Sequence, residues 1–131
     1  MPDGSQKLNN KVVISEDCPV RSLLDRIADK WSLLVIIRLS EAQNSKRRFS
    51  ELKRDVEGIS QRMLTSTLRQ LERDGLVTRE IFAEVPPRVE YQLAPLGHSF
   101  LAPAKTLIDW MVNKWPEIEL KREAYDNKVA S

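Results

Sequence analysis

A chain of 131 residues is long enough for one domain with a real core and short for two. Hydrophobic residues make up 41% and charged residues 31%, which is too apolar for a disordered chain, yet no apolar run approaches the roughly 18 residues that cross a membrane. A net charge of +2 permits a nucleic-acid partner without demanding one, and one cysteine with one histidine excludes both an internal disulfide and the usual zinc site.

The first residues, MPDGSQKLNNK, lack the apolar core of a signal peptide, so a cytoplasmic protein without a membrane partner is expected. Residues 1–17 carry Gly4, Ser5, Asn9 and Asn10 around Val12-Val13-Ile14 and read as a mobile arm. Cys18-Pro19 opens a helix with proline at its first position, where the missing amide costs nothing; Leu23, Leu24, Ile27 and Ala28 form its apolar face. Lys30 to Ala42 reads as a second helix, apolar nearly all round and therefore central to the core.

Gln43 to Arg48 is a polar break ending in the basic run Lys46-Arg47-Arg48. It reads either as a solvated loop or as a source of phosphate contacts. Phe49 begins a short helix, with Ser50 expected as its N-cap, Glu51 in the first turn, and Leu52 and Val56 inward. The turn Glu57-Gly58-Ile59 joins it to the next helix, with the length and chemistry of a helix-turn-helix.

That next helix is capped at both ends, by Ser60 before it and by Gly75 in the left-handed position after it. Met63, Leu64, Thr67, Leu68 and Leu71 recur at helical spacing on one side, with Arg62, Arg69 and Arg73 on the other and Thr65 and Ser66 beside them. Such a helix is either an ordinary core helix with a solvated face or a helix for the major groove of DNA. The groove rewards Arg, Gln, Ser and Thr at base edges and phosphates.

After Gly75 the hydrophobic period changes from 3.6 to 2. Leu76–Phe82 and Arg88–Leu93 read as two strands, with the turn between them stiffened by Pro86-Pro87. A hairpin directly after a helix-turn-helix is a wing, and this order of elements favours DNA binding. The expected fold is mainly α with a small β-hairpin (α+β), a winged helix-turn-helix over residues 18–115.

Leu96, Phe100, Ala104, Leu107, Ile108, Met111 and Trp115 repeat at three and four residues along a last helix, about 95–115, that Pro103 should kink or split. Surplus to a winged core, it is expected to pair with a second copy through Phe100, Leu107, Ile108, Met111 and Trp115. Residues 116–131 read as a tail with room for a short helix.

For a DNA-binding homodimer, Gln61, Arg62, Thr65, Ser66 and Arg69, preceded by Ser60, would face the major groove, with Arg62 suited to guanine and Gln61 to adenine. Arg47, Arg48, Ser50 and Arg73 would hold phosphates, and Arg79 and Arg88 would bring the wing to the flanking backbone or minor groove. The partner is then double-stranded DNA carrying a near-palindromic operator. The alternative is a winged-helix protein-interaction module without operator binding. No pairing of nucleophile and base suggests an enzyme: His98 stands alone at the start of the last helix. No cofactor or metal is expected.

The chain also resembles the HxlR-type winged helix-turn-helix regulators, relatives of the MarR group. The resemblance rests on Cys18-Pro19-Val20, Lys30-Trp31, Arg48-Phe49-Ser50-Glu51-Leu52, Gly58 to Leu64, Leu68 to Glu72, Gly75 to Arg79, Val85 to Tyr91, Leu96-Gly97 and Trp110. It implies a homodimeric transcription factor, in some members controlled by oxidation of the cysteine ahead of the first helix, here Cys18. A helix N-terminus would favour the thiolate; an inert buried thiol is the alternative. A small-molecule effector near Trp31, Phe100 or Trp110 competes with oxidation as the signal, and core packing competes with both. The chain departs from the family at Ala28-Asp29, where a glycine pair is common, at Asn44-Ser45, where a glycine is usual, and at Ala94, where threonine is usual.

Overall fold

The structure is a computed structural model and describes residues 19–130; the expected arm over residues 1–17 and the candidate thiol Cys18 lie outside the described residues. It divides into two units, one ending at His98 and the other beginning at Ser99.

In the first unit, α1 (Pro19–Ile27) starts at the proline. None of its residues is buried, and Leu23 and Leu24 stand exposed. An ion pair of 3.0 Å from Arg26 Nε to Asp74 Oδ2 ties it to the end of a later helix. Helix α2 (Lys30–Glu41) is the central one: Val35, Ile36 and Leu39 are fully buried. Asp29 caps it, accepting a bond of 3.1 Å from the Ser32 amide, so the departure from a glycine pair supplies a side-chain cap.

The polar break after α2 is more structured than its sequence suggests. A 3-10 turn, Gln43–Ser45, leads into a strand, β1 (Lys46–Arg48). Helix α3 (Phe49–Asp55) follows at once. Its N-cap is Arg48 rather than the expected Ser50, and the Glu51 carboxylate accepts from the Arg48 amide at 2.9 Å, so the first turn is closed from inside. Leu52 and Val56 are buried as expected.

Helix α4 (Gln61–Arg73) has the two expected ends. The Ser60 hydroxyl accepts from the Met63 amide at 3.0 Å, and Gly75 takes a φ of +80°. Leu64, Thr67, Leu68 and Leu71 are buried, whereas Met63 is 42% exposed. Met63 lies about 100° round the helix from Leu64, off the centre of the stripe.

Strands β2 (Val77–Phe82) and β3 (Arg88–Leu93) form the hairpin, in register from Val77 opposite Leu93 to Phe82 opposite Arg88. Strand β1 pairs with the other edge of β3, Arg47 opposite Tyr91, giving an antiparallel sheet of order β1-β3-β2. Central position changes what β3 can expose: Tyr91 and Leu93 are buried, and Arg88 and Glu90 on the other face are half-buried.

Helix α5 (Pro95–Ala130) begins in the first unit and makes up the second. It runs without a break through Pro103 and Pro116, so the expected split near residue 100 and the end before Pro116 are both corrected. A proline removes one backbone bond, and Leu, Ala, Glu, Lys and Arg on either side restore the helix. Its 36 residues span about 54 Å at the usual rise per residue.

Candidate nucleic-acid interface

The outer face of α4 follows from its inner one. Burying Leu64, Leu68 and Leu71 leaves Gln61, Arg62, Ser66 and Arg69 exposed and Thr65 half-exposed. These five residues, with Gln70, line one shallow open concavity. Gln70 was not singled out from sequence; its place four residues after Ser66 is the signal that could have found it. The Thr65 hydroxyl donates to the Gln61 carbonyl at 2.9 Å, which fixes its rotamer and leaves its oxygen free to accept. Ser60 uses its hydroxyl as the cap and so serves the face indirectly.

None of the ion pairs among the described residues includes Arg62 or Arg69. Two guanidinium groups thus stand on one exposed helix face without a carboxylate to neutralise them. That is the arrangement a polyanion can use.

A second open groove lies between the hairpin and the start of α3. It brings together Arg48, Ser50, Arg79 and Arg88, along with Phe49 and Tyr91. The four expected polar residues are not equally available. Arg48 and Ser50 are exposed. Arg79 is loosely held, its Nε 3.6 Å from Glu72 Oε2 and its side chain 44% exposed. Arg88 is engaged on three sides: Nη1 lies 3.0 Å from Glu84, Nε 2.9 Å from Glu90, and the guanidinium 4.1 Å from the centre of the Phe82 ring. Burial pushes the Tyr91 phenol above its ordinary pKa, against the opposing pull of nearby Arg79, so it is a neutral hydroxyl in the floor of this groove.

Arg47 is set apart from both surfaces. Its Nε and Nη2 grip the Asp55 carboxylate at 2.8 and 2.9 Å, and Nη1 meets Glu51 at 2.9 Å. Strand β1 aims this side chain along α3, and two carboxylates one helical turn apart receive it. Its charge is balanced inside the fold.

Among the residues expected at a dimer interface, Leu107, Met111 and Trp115 are exposed, and Phe100 and Ile108 are half-buried. His98 is exposed and Trp31 half-buried. Among the described residues, no helix is long and apolar enough to cross a membrane.

The family described as HxlR-like helix-turn-helix matches residues 26–119. The chain is 36% identical over 119 residues to YtfH of Escherichia coli K12, named as an HTH-type transcriptional regulator, covering 91% of this chain and 92% of that one. Of solved structures, the transcriptional regulator ytfH of Salmonella typhimurium superposes with a TM-score of 0.77 at 35% identity, over 85% of this chain and 96% of that one. The redox regulator HypR in its reduced form gives a TM-score of 0.68 at 36% identity, over 78% and 98%.

Proposed function

For a chain that belongs to the HxlR-like helix-turn-helix family of transcriptional regulators, we propose that it acts as a homodimer on a near-palindromic DNA operator, with α4 in the major groove. The observation that carries this is the α4 outer face, where Arg62 and Arg69 stand without ion-pair partners among the described residues, beside Gln61, Thr65 and Ser66. Arg62 and Gln61, near the N-terminus of the helix, are the base readers. Arg48, Ser50 and Arg79 hold phosphates from the second groove. Arg88 shapes the wing more than it touches DNA, and Arg47 belongs to the scaffold.

Dimerisation is supported by apolar surface that a soluble monomer has no reason to present. Leu23 and Leu24 on α1, and Leu107, Met111 and Trp115 on α5, all stand exposed. Two protomers would then read half-sites about one helical turn apart, or a multiple of it. Oxidation of Cys18 is the proposed signal, supported by the likeness to a redox regulator.

The test is binding to the DNA upstream of the chain's own gene, followed by fluorescence anisotropy. Arg62→Ala should lose about 1–3 kcal/mol on the specific duplex, roughly 5- to 150-fold in affinity, and little on a random one. If the variant binds both duplexes as the parent does, α4 does not read bases. A parent that shows no salt-sensitive binding at all would instead be an interaction module.

A further inference from the structure

The C-terminal half of α5, from Met111 to Ala130, carries a pattern that the winged core does not use. Met111, Trp115, Ile118, Arg122, Tyr125 and Val129 form a seam spaced alternately by four and three residues, apolar except at Arg122, with Val112 and Leu120 off it. Ala104 and Ile108 continue the same repeat backwards. This is a heptad seam with Trp115, Arg122 and Val129 at a positions and Met111, Ile118 and Tyr125 at d positions. Ala104 is buried and Ile118 half-buried, but most of the seam from Met111 onward is not covered by the chain itself: Met111 is 42% exposed, Trp115 43%, Tyr125 67% and Val129 65%.

The charges beside the seam are sorted. Lys114, Lys121 and Lys128 occupy successive g positions, while Glu119 and Asp126 occupy successive e positions. In a parallel pair of helices a g residue faces the e residue five places further on in the partner, so Lys114 meets Glu119 of the partner subunit and Lys121 meets Asp126 of the partner subunit. In an antiparallel pair g faces g and e faces e, which sets lysine against lysine and acid against acid.

We propose that residues 111–130 form a parallel, in-register two-stranded coiled coil with a second copy of this chain. The proposal deepens the dimer reading above and rests on it. The occupant is fixed by the charges, since the same helix supplies both halves of each pair. Such exposed pairs add little affinity and mainly decide orientation and partner. Arg122 is the one charged residue at a seam position, with its guanidinium 5.0 Å from the centre of the Trp115 ring. A single polar group at an a position holds two strands in one register at a cost in stability. Pro116 falls at a b position, off the seam. Leu120 lies at an f position, facing outward, and takes no part.

The experiment uses the full chain with Cys18→Ser and one new thiol, Val129→Cys on the seam or Asn127→Cys at an f position, under mild oxidation. Sedimentation of the unlinked proteins gives the oligomeric state separately. The expected result is a dimer that cross-links at least about tenfold faster through Val129→Cys than through Asn127→Cys, because only seam positions bring Cβ atoms near disulfide distance. Equal rates in a protein that sediments as a dimer overturn the coil and leave the dimer standing. A monomer by sedimentation overturns both. Lys121→Glu should weaken the dimer, and adding Asp126→Lys should restore it; failure of that restoration also counts against parallel pairing.

Discussion

At the scale of single residues, position in a basic run does not say what a cation is for. Lys46, Arg47 and Arg48 are consecutive, yet the β-strand period turns Arg47 toward Asp55 and Glu51 while leaving Arg48 exposed. Removing Arg47 would leave two half-buried carboxylates facing each other. Arg47→Ala should therefore cost about 1–3 kcal/mol in urea denaturation while leaving the salt slope of DNA binding unchanged. The opposite result, a shallower slope at unchanged stability, would return Arg47 to the phosphate contacts. The departures from family habit also become intelligible here. Asn44 and Ser45 both adopt positive φ, 59° and 52°, in the loop where a glycine is usual, so the backbone demand is met by residues that pay for it in strain.

Among elements, the start of α5, the part within the first unit, is seated by one close approach. Its first turn comes so near the end of α4 that a Cβ on Gly97 would collide with the Leu76 carbonyl oxygen and lie 2.8 Å from Leu93 Cδ2. That carbonyl cannot easily yield, because it accepts the Ala94 amide at 3.0 Å. Gly97→Ala should destabilise the fold by about 1–3 kcal/mol, read from thermal or chemical unfolding. An unchanged midpoint would mean the helix start shifts freely. The elements themselves were mostly legible: the caps of α4, the turn at Gly58 and the span of β3 follow from residue types at short range. Strand β1 was not, because Lys-Arg-Arg carries no strand signal and its pairing is supplied by the open edge of β3. Nor was the length of α5, since Pro116 reads as a terminator until neighbouring helix formers outweigh it.

For the whole molecule, the proposed regulation requires that a signal change how two copies meet DNA. Cys18 precedes α1, whose exposed Leu23 and Leu24 belong to the proposed dimer surface, so a change at the thiol would be felt where protomers join. Operator affinity of the parent should fall on treatment with peroxide or a quinone, and Cys18→Ser should keep its affinity under the same treatment. A serine variant that remains as sensitive as the parent would remove the thiol from the mechanism. The two faces of the proposal then separate by variant: Arg62 alters reading, and Cys18 alters response.

By itself the sequence determined the helices with strong periodicity, the turn, the wing and the polarity of α4, because each depends on neighbours within a few residues. The spacing of residues 111–130 is local too, but it becomes a heptad seam only because the helix continues past Pro116 to Ala130. Only the tertiary structure decided which cations remain free. Arg62 and Arg69 have no ion-pair partner among the described residues because burying Leu64 and Leu68 turns them outward, whereas Arg47 and Arg88 meet carboxylates that sheet pairing and the hairpin bring to them. Charge is written in the chain; whether it is spent inside the fold or offered to a partner depends on which strands lie side by side.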